Sequence, residues 1–510
     1  MTSERPVFLI MDKQEEKHDQ PWTSYHIETS KRLDVIDERL QKSGLYNDPR
    51  IKHLPRREAT EKEILSVHTK RYLNDVKATE TMTPEEQEEF CTKYEDIFVN
   101  SATWKRAKLA AGSAIDLAIS VSEKKSTGIA FIRPPGHHAM PDEGCGFCIF
   151  NNIAIAAKEV IRVGLAKKVM IVDYDVHAAN GTQECIEGEE ENVKLISIHR
   201  YENGTFWPNM PQTGIYHNYK NTMNLPLNTI GLSDSDYYAL FTHIIIPSIH
   251  DFKPDLILVS SGFDASLGDP EGYMNVTPAG FATMIRLLMN TGVPVAAILE
   301  GGYFLDALAA DSEWVLRALL QETLPSIKIE PLNLSIVDTI ARVISKYEKT
   351  SLFFRKLQEL RKLFGQNIER STEDVTDYRG ERIVHPPYET RGIYTPFSEE
   401  KIDSFRKQLE TELKSYETIE KVSDNDQYII KDESIGSNHL SLRNGKLLIG
   451  TGKPVNRFVD LLFISVLNPP SLLESSNDLE DIDFSLITFG EELKNLRDIP
   501  TFQHFPIFQL

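Results

Sequence analysis

Cysteine is scarce, with four residues in a chain of 510 and no regular spacing between them, which excludes a disulfide-stapled framework and agrees with a reducing compartment. Cys145 and Cys148 do form a CxxC, but no second pair exists to complete a four-ligand structural zinc site, so loop packing is the reading kept for them. Positive charge is also short. Fifty-six Lys and Arg against 76 Asp and Glu leave a formal net charge of −20, so phosphate backbones and anionic membranes are repelled and no direct nucleic-acid or membrane binding is expected. Long apolar runs are lacking as well. The stretch ending at Met11 is only about six residues, too short for a signal h-region or a span, which makes the nucleus, the cytoplasm or both the expected location. No compositional bias marks a fibrous or disordered class, and 41% hydrophobic residues are enough to bury a large core.

The length predicts two unequal parts, an α/β unit of roughly 350 residues and an appendage. Up to about residue 365, short β-branched runs alternate with helical patterns. Strands are predicted at Val7–Met11, Gly128–Ile132, Lys168–Val172, Leu195–His199, Asp255–Ser260 and Val295–Leu299. Thr277-Pro278 reads as the N-cap and first residue of a helix ending at Gly292, and Asn152 to Val163 as a helix closed by Gly164. Pro247 should kink or end a helix over Ser235–Asp251. Buried strands separated by helices predict a mostly parallel sheet covered on both faces. Beyond residue 365 come a charged, loop-like Glu369–Glu389, a helix-like Ser398–Glu417, and Asn444-Gly445 between two apolar runs, which reads as a hairpin.

Chemistry concentrates just past the carboxyl ends of the predicted strands, where open parallel sheets bind ligands. A tandem His137-His138 sits in the Pro/Gly-rich stretch RPPGHHAMPDEGCGFC, and VDYDVH follows at Val172–His177. Asp175 and His177 with the distant Asp264 supply hard and borderline ligands, a set suited to a catalytic divalent metal with one position open for water. A neighbouring histidine would accept the water proton and return it to a leaving amine, while Tyr303 of LEGGYF donates to the developing oxyanion. This pattern points to hydrolysis of an amide.

At these residues the chain resembles the zinc-dependent histone deacetylase family, class II, and within it class IIb, the branch of the tubulin and acetylpolyamine deacetylases. The resemblance runs from about His26 to Leu320 through RPPGHHA, GFCIFNN, VDYDVH, NGTQ, SIHRYENGTFWP, SSGFDASLGDPEG and LEGGYFL. It implies an α/β fold: a single large three-layer α/β/α deacetylase (arginase-like) domain with a mostly parallel central sheet over 1–365, plus a smaller C-terminal accessory segment over 366–510. It implies zinc on Asp175, His177 and Asp264, and a structural potassium ion at Asp173, Asp175, His177 and Ser197. His138 takes the role of general base and acid and His137 assists electrostatically; Asp173 orients His137, and Asn180 stands behind His138 where class I members have Asp. Gly146, Phe147 and Trp207 belong to the tunnel that admits an acetylated amine chain, and Glu95 holds the rim position of a family Asp that binds the substrate backbone. Glu271 stands where the acetylpolyamine enzyme carries a carboxylate that selects a second cation.

Two departures bear on this reading. The family's DVHHGNG is DVHAANG here, and Ala178-Ala179 is expected to alter the backbone that carries His177. The polyamine enzyme's Pro-x-Cys-Glu insertion is matched only by Pro21-Trp22-Thr23-Ser24. The substrate implied is therefore acetyl-lysine in histones or other proteins, with an acetylpolyamine as the alternative. A catalytically impaired corepressor or scaffold subunit is the reading from a different class; the partners expected are an acetylated protein or acetylpolyamine as substrate, with corepressor proteins beside it.

Overall fold

A computed structural model describes residues 6–13, 15–22, 26–328, 330–351 and 354–355, together with the strand residues 419–423, 427–430, 438–443 and 446–449. The chain divides into two compact units, one built on an eight-stranded sheet and the other holding a four-stranded one. The expected boundary at residue 365 lies outside the described residues, as do Glu369–Glu389 and Ser398–Glu417.

The large sheet comprises β1 (Val7–Met11), β2 (Ile51–His53), β3 (Thr127–Phe131), β4 (Val169–Asp173), β5 (Val193–Arg200), β6 (Thr222–Leu227), β7 (Leu256–Ser261) and β8 (Val295–Leu299), in the order β2-β1-β3-β8-β7-β4-β5-β6. Every pairing in it is parallel, rather than mostly so. Alternation along each strand explains the layers. In β1, Val7, Leu9 and Met11 join one core while Phe8 and Ile10 join another; in β4, Met170 and Val172 divide from Val169 and Ile171 in the same way. A sheet with both faces buried needs helices on both sides, which is the α/β/α arrangement.

The predicted strands at Val7 and Val295 have the observed bounds, while β3 and β4 are displaced by one residue. The edge strands β2 and β6 were not predicted: one is three residues long, and the other carries Pro226, which is tolerated because β6 ends the sheet. Thr277 caps the helix Pro278–Asn290 by accepting from the Gly280 N–H at 3.2 Å, and Gly292 follows with φ +78°. Pro247 does not break its helix. The turn ahead of it, Phe241–Ile245, widens to a π-helix, which absorbs the missing N–H, and the chain continues as Ile246–Phe252.

The second unit holds β9 (Ile419–Ser423), β10 (Gln427–Ile430), β11 (Asn438–Arg443) and β12 (Lys446–Ile449), antiparallel throughout. Arg443 pairs with Lys446, the register that a two-residue Asn444-Gly445 turn requires; the turn residues themselves lie outside the described set. Among the described residues no helix is long and apolar enough to cross a membrane.

Candidate active site

Sheet order explains why residues far apart in sequence meet. β3, β8, β7 and β4 are consecutive neighbours, and their carboxyl ends carry, respectively, the His137-His138 loop, the Glu300–Tyr303 turn, Asp264, and Asp173 through His177. Four loops thus open on one crevice.

The two histidines are buried and close, with ring centroids 3.9 Å apart and planes tilted by 44°, yet their partners differ in charge. His137 Nδ1 lies 3.1 Å from Asp173 Oδ2, and its Nε2 is 3.6 Å from Asp175 Oδ1. Burial works against its charge, but the carboxylates of Asp175 and Asp173 outweigh it and hold the imidazole well above the usual histidine range. His138 Nδ1 instead donates to the neutral Asn180 Oδ1 at 2.6 Å. Burial, reinforced by the positive charge of His137 and His177, keeps His138 well below that range, so it is neutral with Nε2 free to accept a proton.

Asp175, His177 and Asp264 are all buried, and their ligand atoms lie within 4.8 Å of one another. His177 Nδ1 is 3.2 Å from Asp175 Oδ1 and 3.1 Å from Asp264 Oδ2. Ligand atoms around four-coordinate zinc, with N and O at about 2.0 Å, stand about 3.3 Å apart, so the set fits such an ion. Charge argues the same way. Burial and the adjacent Asp175 carboxylate push Asp264 up to about 8, while Asp175 and Asp264 together lift the His177 imidazole to about 10 against its burial. A divalent cation among these three groups would offset the repulsion between the two carboxylates and take the place of the proton that they otherwise hold on His177. Backbone donors fix the carboxylates: Gly301 N–H donates to Asp175 Oδ2 at 2.8 Å, and Val176 N–H to Asp264 Oδ1 at 2.7 Å.

Tyr303 follows β8, and burial holds its hydroxyl well above the usual phenol range, so it stays a donor. A buried network supports this turn. Arg32 donates from Nε to the Gly302 carbonyl at 2.7 Å and from Nη2 to the Glu300 carbonyl at 2.6 Å, and its guanidinium lies over the Tyr303 ring at 5.1 Å. Glu28 neutralises Arg32 at 3.2 Å and also pairs with Arg133. Glu300 Oε2 accepts from the N–H groups of Gly136 at 2.6 Å and His137 at 3.2 Å, tying the turn to the histidine loop. Sequence reasoning assigned no role to Arg32, Arg133 or Glu300. Arg32 and Glu300 act through backbone groups and Arg133 through the distant Glu28, contacts that leave no spacing signature.

The crevice narrows between aromatic rings. Phe147 meets Tyr303 edge-on at 5.9 Å, and Trp207 stands edge-on to His138 at 4.6 Å. Gly146 allows this closeness: it has φ +51°, and a Cβ there would lie 2.5 Å from the Trp207 ring. Cys145 and Cys148 flank the pair, and their backbones exchange hydrogen bonds of 3.2 and 2.9 Å. Burial pushes both thiols up, Cys145 to about 12, so the CxxC builds a turn rather than offering thiolates. At the rim Glu95 accepts from the Trp207 indole N–H at 2.8 Å. Glu271 sits on the loop after β7, half-buried, with no hydrogen bond or ion pair to its carboxylate among the described residues.

The loop through Ala178 and Ala179 is not strained. Neither residue takes a positive φ, and Ala179 sits at φ −76°, so alanine is accommodated at both positions without left-handed strain. The small residue required here is Gly181, where a Cβ would lie 2.3 Å from the His138 carbonyl carbon. Ser197 of β5 pairs in register with Asp173 of β4, and its hydroxyl accepts from the Ala179 N–H at 3.3 Å. The proposed potassium residues are therefore neighbours.

Comparison with known proteins agrees with this geometry. The histone deacetylase domain model matches residues 26–319. The polyamine deacetylase HDAC10 of Danio rerio is 40% identical over 328 residues, covering 62% of this chain and 48% of that protein. Histone deacetylase 18 of Arabidopsis thaliana is 38% identical (63% and 48% covered), and histone deacetylase HDA1 of Candida albicans is 35% identical (67% and 44% covered). The chain thus spans about half the length of the curated relatives it matches. The crystal structure of the HDA15 HD domain superposes with a TM-score of 0.63 at 31% identity, covering 71% of this chain and 99% of that one. With four strand ends gathering the paired histidines, the Asp-His-Asp set and the tyrosine, and with the domain model matching more than half its length, this chain belongs to the histone deacetylase family, in the class II-like branch.

Proposed function

We propose that the chain hydrolyses the acetyl amide of acetylated lysine in histones or other proteins, releasing acetate and a free amine, with zinc held by Asp175, His177 and Asp264. The observation that carries this reading is a pair of adjacent buried histidines with different partners, Asp173 for His137 and Asn180 for His138, beside a buried ligand set. Zinc, when bound, polarises the acetyl carbonyl and acidifies water. His138, its Nδ1–H committed to Asn180, accepts the water proton at Nε2 and returns it to the leaving nitrogen. His137, held charged by Asp173, stabilises negative charge nearby. The Tyr303 hydroxyl donates to the oxyanion. Phe147 and Trp207 line the tunnel for the acetylated amine chain with Gly146 and exclude water, and Glu95 meets the substrate at the rim while bracing Trp207. A potassium ion at Asp173, Asp175, His177 and Ser197 would stiffen the loop that carries the zinc ligands.

In this reading residues 1–365 are the catalytic domain and 366–510 an accessory region. Corepressor proteins are its partners, and its place is the nucleus, the cytoplasm or both.

One observation favours a second substrate. The unpaired carboxylate of Glu271 near the tunnel suits a second cationic centre, and among the relatives are proteins named polyamine deacetylases. An acetylated polyamine is then the preferred substrate. Turnover of an acetyl-lysine peptide and of acetylspermidine, side by side, decides between them. Glu271→Leu should lower the polyamine-to-peptide ratio by about 10-fold or more, as expected for loss of a poorly screened ion pair. An unchanged ratio eliminates the selector role, and acetate from neither substrate eliminates the enzyme.

A further inference from the structure

The loop between β7 and the helix Pro278–Asn290 contains a carboxylate, beyond Asp264, that the chemistry above does not use. Asp269 is 1% exposed. Its Oδ2 accepts from the backbone N–H of Tyr303 at 2.6 Å and of Phe304 at 3.1 Å, and its Oδ1 accepts from the backbone N–H of Glu271 at 2.9 Å. The helix Leu305–Leu319, whose N-cap residue Phe304 follows Tyr303, has no side-chain cap of its own, so Asp269 supplies the anion at its N-terminus from a different loop. One rigid carboxylate thus grips two segments separated by more than thirty residues of chain, using a different oxygen for each. The oxyanion donor begins one of these segments, and the unpaired rim carboxylate belongs to the other.

We propose that Asp269 is a positioning residue that fixes the backbones of Tyr303 and Glu271 as a single unit, so that it sets the rate of the acetyl-transfer-to-water step and the cation preference of the tunnel together. The proposal rests on the roles given above to Tyr303 and Glu271. A carboxylate that merely capped the helix would lower stability and leave substrate preference where it was. Asn at this position keeps one accepting oxygen and replaces the other with an NH2 group that repels N–H donors, so it satisfies one segment at the expense of the other.

The test uses the full chain carrying zinc. In Asp269→Asn, amide hydrogen exchange of Tyr303–Phe304 and of Glu271 should rise by about tenfold while distant strands stay protected. With an acetyl-lysine peptide, kcat should fall by about 10 to 100-fold at nearly constant KM, the size expected of a misplaced group that acts in the transition state. In a Tyr303→Phe background the same substitution should cost less than about threefold more, because the group being positioned is gone. The acetylspermidine-to-peptide ratio should move toward that of Glu271→Leu, and should not move further in that variant. Exchange confined to one segment, multiplicative losses with Tyr303→Phe, or an unchanged ratio would each overturn the proposal. Asp269→Ser and Asp269→Glu replace the Asn variant if it does not fold. If the unaltered protein releases acetate from neither substrate, the deacetylase reading fails, and the exchange data alone then decide whether Asp269 couples the two segments.

Discussion

Replacing Glu28 by Gln tests how the Tyr303 turn is held. Glu28 is completely buried between Arg133 and Arg32, and although burial opposes its charge, the two guanidinium groups outweigh it and draw its carboxyl from 4.5 down to about 2. A shift of that size corresponds to about 3.4 kcal/mol of folding free energy at neutral pH. This agrees with the roughly 3 to 5 kcal/mol lost when one partner of a buried ion pair is removed. The sign follows from the direction of the shift. A depressed carboxyl stabilises fully above its unfolded pKa and loses that contribution as pH falls toward its folded one, so the gap between wild type and Glu28→Gln should shrink to about 2 kcal/mol at pH 3.5 and vanish near pH 2. All four tryptophans, Trp22, Trp104, Trp207 and Trp314, lie in the unit built on the eight-stranded sheet, so their fluorescence during urea unfolding reports on that unit. Activity should fall as well, because Arg32 without its counter-charge no longer holds the carbonyls of Glu300 and Gly302 in place. A difference below about 1 kcal/mol at pH 7, or one that does not narrow on acidification, would refute the reasoning.

Three further outcomes are expected. Tyr303→Phe should reduce kcat by about 10² to 10³-fold with KM little changed, read from steady-state kinetics on an acetyl-lysine peptide; an equal rise in KM would show that the hydroxyl binds the ground state instead. His18 and His68 are buried neutral, and burial lowers them to about 3 and about 4. The unfolded chain therefore binds their protons first, so each group should cost up to about 2 kcal/mol of stability between pH 7 and pH 5; a urea midpoint whose pH dependence is the same in His18→Gln and His68→Gln as in the unaltered protein would contradict this. Ile171→Ala, at a fully buried position in β4, should cost about 2 to 5 kcal/mol in the same unfolding assay, and a cost under 1 kcal/mol would mean that the sheet is not packed on that face.

The parts of the fold legible in the sequence were those with strong local signals. β1 and β8 are continuous apolar runs, and the Thr277-Pro278 start and Gly292 stop of one helix are turn chemistry that works locally. β2 is too short to show a period, and Pro226 hid β6 because its position at the sheet edge is a tertiary fact. In the site, motif spacing pointed to His137, His138, Asp175, His177, Asp264 and Tyr303, and the structure brings them together. Asp269, Glu300 and Arg32 stayed hidden because each bonds to backbone groups of a remote loop, and such contacts exist only once β3, β8, β7 and β4 are side by side. The concern over Ala178 and Ala179 came from the departure from the family's DVHHGNG; neither residue takes a positive φ, so no left-handed strain arises there, and the tight steric demand falls on Gly181.

The central claim is that the buried Asp175, His177 and Asp264 set holds the metal with which His138 and Tyr303 cleave an acetyl amide. It is tested most directly by measuring acetate release from an acetyl-lysine peptide and from acetylspermidine, using the chain stripped with chelator, reloaded with one equivalent of zinc, and reloaded after Asp264→Asn. Acetate from at least one substrate only in the reloaded unaltered protein is the predicted result. Equal release from stripped and reloaded protein, or none from any sample despite bound zinc, would contradict it.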